Sequence, residues 1–286
     1  MKTKVTFLLL LALSLTGCAM WPEKRDAHAT SVMQFLYPKD SQHIDTSGIP
    51  VLSLPLRVGI AFVPSTGNFN PQDGISEAAK AELLKRVAAE FHGLPYVKSI
   101  EIIPTAYLRP EGGFENLDQI KTMFGVDVIA LVAYDQVQFT NEGVLSLAYW
   151  TIVGAYVVDG EKNDTQTLMD AVVYDIASRK LLFRAPGTSH VKASATPINL
   201  SEQLQIDSRK GFDDATTQMI ANLKIELDNF KVRVKESPDE FKVVNKPGYT
   251  GGGELDGWFA LGLSGLALLA LWRRSSCRQN TDAFLG

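Results

Sequence analysis

Apolar and polar positions first fall into a clear rhythm at Leu56. Arg57-Val58-Gly59-Ile60-Ala61-Phe62-Val63 predicts a strand ended by Pro64, and Ser65 to Gly74 predicts a loop. Ser76 is placed to cap a helix running through Phe91, with Leu83, Leu84, Val87, Ala88 and Phe91 on one face. Gly93-Leu94-Pro95 stops it. A second strand is expected over Val97 to Ile103, closed by Pro104, and a second helix over Phe114 to Phe124, with Leu117, Ile120 and Phe124 at helical spacing before Gly125. Val126 to Tyr134 is then almost continuously apolar, as in a strand covered on both faces.

The rhythm changes in the second half. Leu145 to Val158, Asp164 to Asp175 and Leu181 to Ala185 predict successive strands, antiparallel, with a hairpin turn at Ala177-Ser178-Arg179. A long helix is expected from about Ser201 to Phe230. Its stripe is Phe212, Thr216, Met219, Leu223, Leu227 and Phe230, in steps of three and four. The fold class implied is α/β (α+β): a mixed sheet with a βαβαβ start, antiparallel strands and a long closing helix. The expected divisions are residues 1–17 as a signal peptide, 18–54 as a tether without sustained period, 55–231 as the folded domain, 232–250 as a charged linker, and 251–286 as a C-terminal tail. No internal repeat is visible.

Both ends carry membrane signals. Lys2 and Lys4 precede an apolar run from Phe7 to Leu15, and Thr16-Gly17-Cys18 follows. These are the basic start, short apolar core and small-residue exit of a secretory signal. The run is too short for a bilayer, which takes roughly 20 apolar residues. Near the other end, Gly251-Gly252-Gly253 precedes an uncharged stretch from Gly257 to Trp272, then Arg273-Arg274. As a helix that stretch spans roughly 24 Å, a short single transmembrane tail. Trp258 and Trp272 stand at its two ends, where indole rings favour the headgroup level. Arg273, Arg274 and Arg278 lie beyond it, so the positive-inside rule puts the C-terminus in the cytoplasm and the body on the outer face of the inner membrane.

Leu15-Thr16-Gly17-Cys18 resembles a bacterial lipobox, and the resemblance implies that Cys18 is acylated and becomes the first residue of the mature protein. In such lipoproteins an Asp after the cysteine retains the protein in the inner membrane; Ala19 at that position implies the outer membrane or cell surface after processing. The glycine run, short span and arginines resemble the GlyGly-CTERM tail, which implies recognition by a rhombosortase-like intramembrane protease. Helix-breaking Gly251, Gly252 and Gly253 give a physical reason for cleavage there, because an unwound backbone can enter a protease site. The pairing of these two ends is similar to the rhombotarget lipoproteins of Gram-negative envelopes. Cys277 to Gly286 departs from that pattern, since such tails usually stop soon after their arginines. A permanent two-anchor inner-membrane protein is the alternative. The strand opening at Val126 is loosely similar to that of the curli secretion factor, a likeness at the level of fold.

Composition narrows the partners. A net charge of −4 argues against nucleic acid. Of the two cysteines, Cys18 is the expected lipid site and Cys277 lies beyond the expected cut, so the body would hold neither disulfide nor Cys-ligated metal. None of His28, His43, His92 and His190 has a ligand partner at metal spacing. Ser189 sits beside His190, but strand neighbours point to opposite faces and there is no G-x-S-x-G elbow. Asp127, Asp135, Asp159, Asp170 and Asp175 are candidate carboxylates, with Asp135 able to line a crevice, although solvated strand ends account for them more simply. Gly59 and Gly112-Gly113 form no phosphate loop, and Asp213-Asp214 opens no EF-hand. Tyr134, Phe139, Tyr149, Trp150 and Tyr156 either build core or form a glycan or protein docking face.

The expectation is a non-enzymatic binding or assembly lipoprotein of the cell envelope. It would carry no cofactor beyond the lipid on Cys18. Its expected partners are the lipoprotein processing enzymes, a rhombosortase-like protease, the membrane and an envelope protein. An envelope hydrolase or glycan-binding protein is the alternative.

Overall fold

The computed structural model describes residues 24–38, 48–65, 75–142, 161–196 and 198–249. The expected signal peptide, Cys18, the strand over Leu145 to Val158 and the whole tail from Gly251 lie outside them. Strands β1 (Lys24–Ala29), β2 (Val51–Leu54), β3 (Leu56–Phe62), β4 (Val97–Ile102), β5 (Val128–Glu142), β6 (Glu161–Asp175), β7 (Lys180–Ala195) and β8 (Lys242–Asn245) join helices α1 (Val32–Leu36), α2 (Glu77–Phe91), α3 (Gly113–Phe124) and α4 (Leu200–Glu236).

The βαβαβ start forms as expected. β3 lies between β4 and β5 and runs parallel to both. The first crossover moves one way along the sheet and the second moves back past β3. Two right-handed crossovers of opposite direction place their helices on opposite faces. The core divides accordingly. Ile60, Phe62, Val128, Ala130 and Val132 pack with α2 and α4 on one face, while Ala61, Val63, Ile129 and Leu131 pack with α1 and α3 on the other. Both faces of β3 and β5 are therefore apolar, which explains the unbroken run to Tyr134. Ser76 caps α2 by accepting from Ala79 N at 3.2 Å, and Gly125 ends α3 in the left-handed region at φ 66°.

β5, β6 and β7 continue as a long antiparallel meander. All three are longer than the sequence pattern implies, since β5 runs eight residues past Tyr134 and β7 ten past Ala185. One edge of β5 is shared in tandem: β3 pairs from Val128 to Val132, and β1 pairs antiparallel from Asp135 to Thr140. α4 lies across β6 and β7. Two glycines permit the approach: a Cβ on Gly187 would meet the α4 backbone at Ala215 and Met219, and one on Gly211 would meet Thr167. α4 also blunts the outer edge of β7. Asn222 Nδ2 donates to Pro186 O at 2.6 Å and an Arg233 Nη to Leu182 O at 2.7 Å, while Gln218 accepts from Thr188 N.

Two expected boundaries move. The described part of residues 18–54 belongs to the fold, contributing β1, α1 and β2. β1 is held through its ladder to β5 and shows no apolar alternation, and α1 is too short to show a period although Phe35 and Leu36 are wholly buried. Residues 232–250 likewise extend α4 to Glu236 and supply β8, which pairs in parallel with β2. The side chains of β8 are exposed, so charge masked the strand. Among the described residues no helix is long and apolar enough to cross a membrane; the expected span, residues 257–272, lies outside them.

Candidate functional site

Beyond Tyr134 the second helical layer ends, and among the described residues the sheet presents an open face. Pairing across β1, β5, β6 and β7 sets its rows: Arg25, Phe139, Asp164 and Lys192 in one, Ala27, Val137, Gln166 and His190 in the next, then Ala29, Asp135, Leu168 and Thr188. Side chains opposite one another on a sheet share a face, so these rows form one surface. Two adjoining hollows occupy it. One of about 470 Å³ is lined by Val137, Gln166, Thr188 and His190, and one of about 400 Å³ by Met33, Tyr174 and Arg184; Asp135 and Leu168 border both.

Ion pairs frame the face. His190 Nε2 lies 2.7 and 2.8 Å from the two oxygens of Asp164. Desolvation works to raise the Asp164 pKa, but the His190 and Gln166 hydrogen bonds and nearby cations outweigh it and hold the carboxyl low. Arg184 Nε donates to both oxygens of Asp170 at 2.7 and 2.8 Å, and that bond raises the guanidinium pKa. Arg25 lies over the Phe139 ring at 5.8 Å. Charged pairs around half-buried Val137, Phe139 and Leu168 make a surface with an apolar middle and a polar rim.

The opposite face of this extension meets α4 through polar groups. Gln136 Nε2 donates to Thr167 Oγ1 at 2.8 Å and to Ser208 O at 3.1 Å, and Ser208 Oγ donates back to Gln136 at 2.6 Å. Gln138 Nε2 repeats the pattern one pleat on, to Thr165 Oγ1 and Leu204 O. This seam fixes the register of strands against helix.

The remaining sequence candidates separate. Asp127, expected at a solvated strand end, is half-buried and takes hydrogen bonds from Arg57 at 3.4 and 3.2 Å and from Lys246 at 2.8 Å. Desolvation opposes its ionisation, yet the Arg57 and Lys246 bonds hold its carboxyl below the ordinary value. It ties β8 to the body. Asp135 is exposed and borders both hollows, while Asp175 is buried and accepts from Ser178 N in the hairpin turn at 2.8 Å. Tyr134 enters the core edge-on to Phe62 and Phe212, and Phe139 faces outward. His28 is buried in β1, 3.3 Å from Asp26, and His92 ends α2. Among the described residues no cluster of three or more His, Cys, Asp or Glu could hold a metal. Cys18, Gly251, Gly252, Gly253, Trp258, Trp272, Arg273 and Arg274 lie outside the described residues, as do His43, Tyr149, Trp150, Tyr156 and Asp159.

Sequence patterning missed the open face because its strands were cut short at Tyr134 and Ala185. The signal present was the alternation Gln136-Val137-Gln138-Phe139, a period of two that continues β5 with Val137 and Phe139 on one side.

No family model matches the chain, and no curated protein does. Among solved structures, the PelC dodecamer from Paraburkholderia phytofirmans is 11% identical, covering 70% of this chain and 96% of that one, with a TM-score of 0.27. A neuraminyllactose-binding hemagglutinin homolog from Helicobacter pylori is 10% identical, covering 71% and 97%, with a TM-score of 0.31. Likenesses at such scores support no argument about fold or function.

Proposed function

We propose that this chain is a cell-envelope lipoprotein, lipidated at Cys18 and processed at Gly251 to Gly253, whose body binds another envelope component without catalysing a reaction. The observation that carries the binding reading is the open face of β1, β5, β6 and β7, where Val137, Phe139 and Leu168 sit within a frame of ion pairs. The α4 side chains that occupy the outer edge of β7 oppose partner recruitment by strand addition at that edge.

A photo-crosslinking residue at Leu168, in the full chain in its native envelope, tests the binding reading. A discrete adduct with a protein partner is expected, and its absence from the same residue placed at Thr122, exposed on α3, makes it specific. Equal labelling at both positions overturns the docking face, and an adduct with glycan alone would favour the glycan-binding alternative. The targeting reading has separate tests. Cys18→Ser should abolish lipidation, and normal lipid labelling of that variant refutes it. Replacing Gly252 and Gly253 by Leu should block tail removal; intact mass with and without the rhombosortase decides this, and an unchanged mature mass counts against it.

A further inference from the structure

On the face away from α1 and α3, helices α2 and α4 run side by side over the sheet without closing on each other. Their links are polar and superficial: Arg86 pairs with Asp213 and donates to Thr217 at 3.0 Å, and Lys224 donates to Glu90 at 2.7 Å. α2 stops at Phe91, whereas α4 continues to Glu236. Beneath these links, and extending past the end of α2, lies a cavity of about 520 Å³, within the size range of small-ligand sites.

Its lining is almost wholly apolar. The depth is closed by Ile60, Val128, Ala130 and Val173, and the exposed members of the wall are Lys235, Val243 and Asn245, which mark the opening. No carboxylate among the described residues lines it, while Lys231 and Lys235, one turn apart, do. Lys231 is held by Asp228 at 2.8 Å and lies over the Tyr96 ring at 4.9 Å. Lys235 makes no ion pair with any described residue, and the Tyr96 hydroxyl, also in the lining, is enclosed beside the Lys231 ammonium. An ammonium only donates, so the hydroxyl oxygen accepts from Lys231 and its own O–H remains available to an acceptor in the cavity.

We infer that this cavity binds a long-chain carboxylic acid, its acyl chain against Val128 and Ala130 and its carboxylate taken by the Tyr96 hydroxyl and Lys235. Apolar burial supplies the affinity, and the two polar groups fix which end faces out. Enclosure of about 520 Å³ suits a single chain. The site is separate from the open sheet face and does not depend on what binds there.

The test is photo-labelling of the full chain in its native envelope with a diazirine-bearing palmitic acid, with labelled residues mapped by proteolysis and mass spectrometry. Label is expected on the cavity segments around Phe91, Leu227 and Phe230. Unlabelled fatty acids should compete about fourfold better per added methylene until the cavity is full. Tyr96→Phe should weaken competition about tenfold by removing one hydrogen bond to a charged group. Lys235→Glu should weaken the acid but leave a fatty alcohol of equal length unaffected. Ala88→Trp, which fills the cavity from α2, should remove the label. Label unchanged in both Ala88→Trp and Tyr96→Phe overturns the proposal. So does competition independent of chain length. Label that appears only when residues 251–286 are deleted, or only in Cys18→Ser, overturns it as well, by making the chain's own apolar tail or its own lipid the occupant.

Discussion

The same three strands, β5, β6 and β7, build two unlike halves of this molecule. In the inner half, Val128 to Tyr134 against Met169 to Asp175, helices cover both faces and nearly every side chain is buried and apolar. In the outer half, Asp135 to Thr140 against Asn163 to Leu168, α4 covers one face through glutamine, threonine and serine, and no described helix covers the other. The inner half is held by apolar burial, which is non-directional and large in sum. The outer half is held by hydrogen bonds that each contribute little net stability but fix one register. A chain that puts its stability inside and its specificity outside can present an ordered face without relying on that face to fold.

The comparison breaks first at Leu131, which is wholly buried between the sheet and α3. Leu131→Ala should cost about 3–4 kcal/mol, read from urea denaturation of the wild type and variant. Gly187→Ala probes the boundary between the halves, because the added methyl meets the α4 backbone at Ala215 and Met219. It should cost about 2–3 kcal/mol and lower the melting temperature. A cost near zero would mean that α4 is free to lift off the strands. Gln136→Ala strips the outer seam, leaving Thr167 and Ser208 without their shared partner. About 2 kcal/mol is expected. Gln136→Leu should recover part of that while loosening the register, seen as faster amide exchange in β5 beyond Tyr134.

The two halves were also unequally legible. The inner half was plain in the sequence because apolar runs bounded by Pro64, Pro104 and Gly125 leave few alternatives for β3, β4, α3 and the start of β5. The long helix was visible through its stripe, although its last turn and a half, past Phe230, was hidden by Lys231, Arg233 and Lys235. The outer half was legible in β6, where a strand from Asp164 was expected, but not in β5 past Tyr134, where buried Gln136 and Thr140 weaken the apolar signal to a short alternation. β1 fared worst: Lys24 to Ala29 is polar, and only its ladder to β5 identifies it. The candidate face inherits that blindness, since Leu168 and His190 meet only through pairing between strands that the sequence does not specify.

A smaller effect sharpens the comparison at the base of the inner half. Asp127 is bound by Arg57 and Lys246, and its carboxyl titrates below the ordinary value of 3.8. A carboxyl depressed in the folded state contributes stability above its unfolded pKa and loses it as pH falls through the folded one. Asp127→Asn should therefore cost at most about 1 kcal/mol at neutral pH, given the partial exposure of Arg57. The difference from wild type should shrink below about pH 4, where the unfolded carboxyl begins to bind its proton. A difference that stays constant from pH 6 to pH 2 would assign the effect to packing in place of charge.

The smallest expected change in stability is at Leu168, and it divides the two halves most sharply. Leu168 lies on β6 only four residues from Val172, on the same face of the same strand. Val172 is buried under the second helical layer, and Leu168 is half-exposed beyond it. Leu168→Asn removes apolar surface that water already reaches, so it should change stability by about 0.5 kcal/mol or less. Val172→Asn places an amide among apolar neighbours and should cost about 3 kcal/mol. Partner capture should show the reverse order when tested in folded protein: Leu168→Asn should lose it, although the melting temperature scarcely moves. If Leu168→Asn proved as destabilising as Val172→Asn, the outer face would be covered in the folded protein. It would then be core, and the docking reading would fail with it.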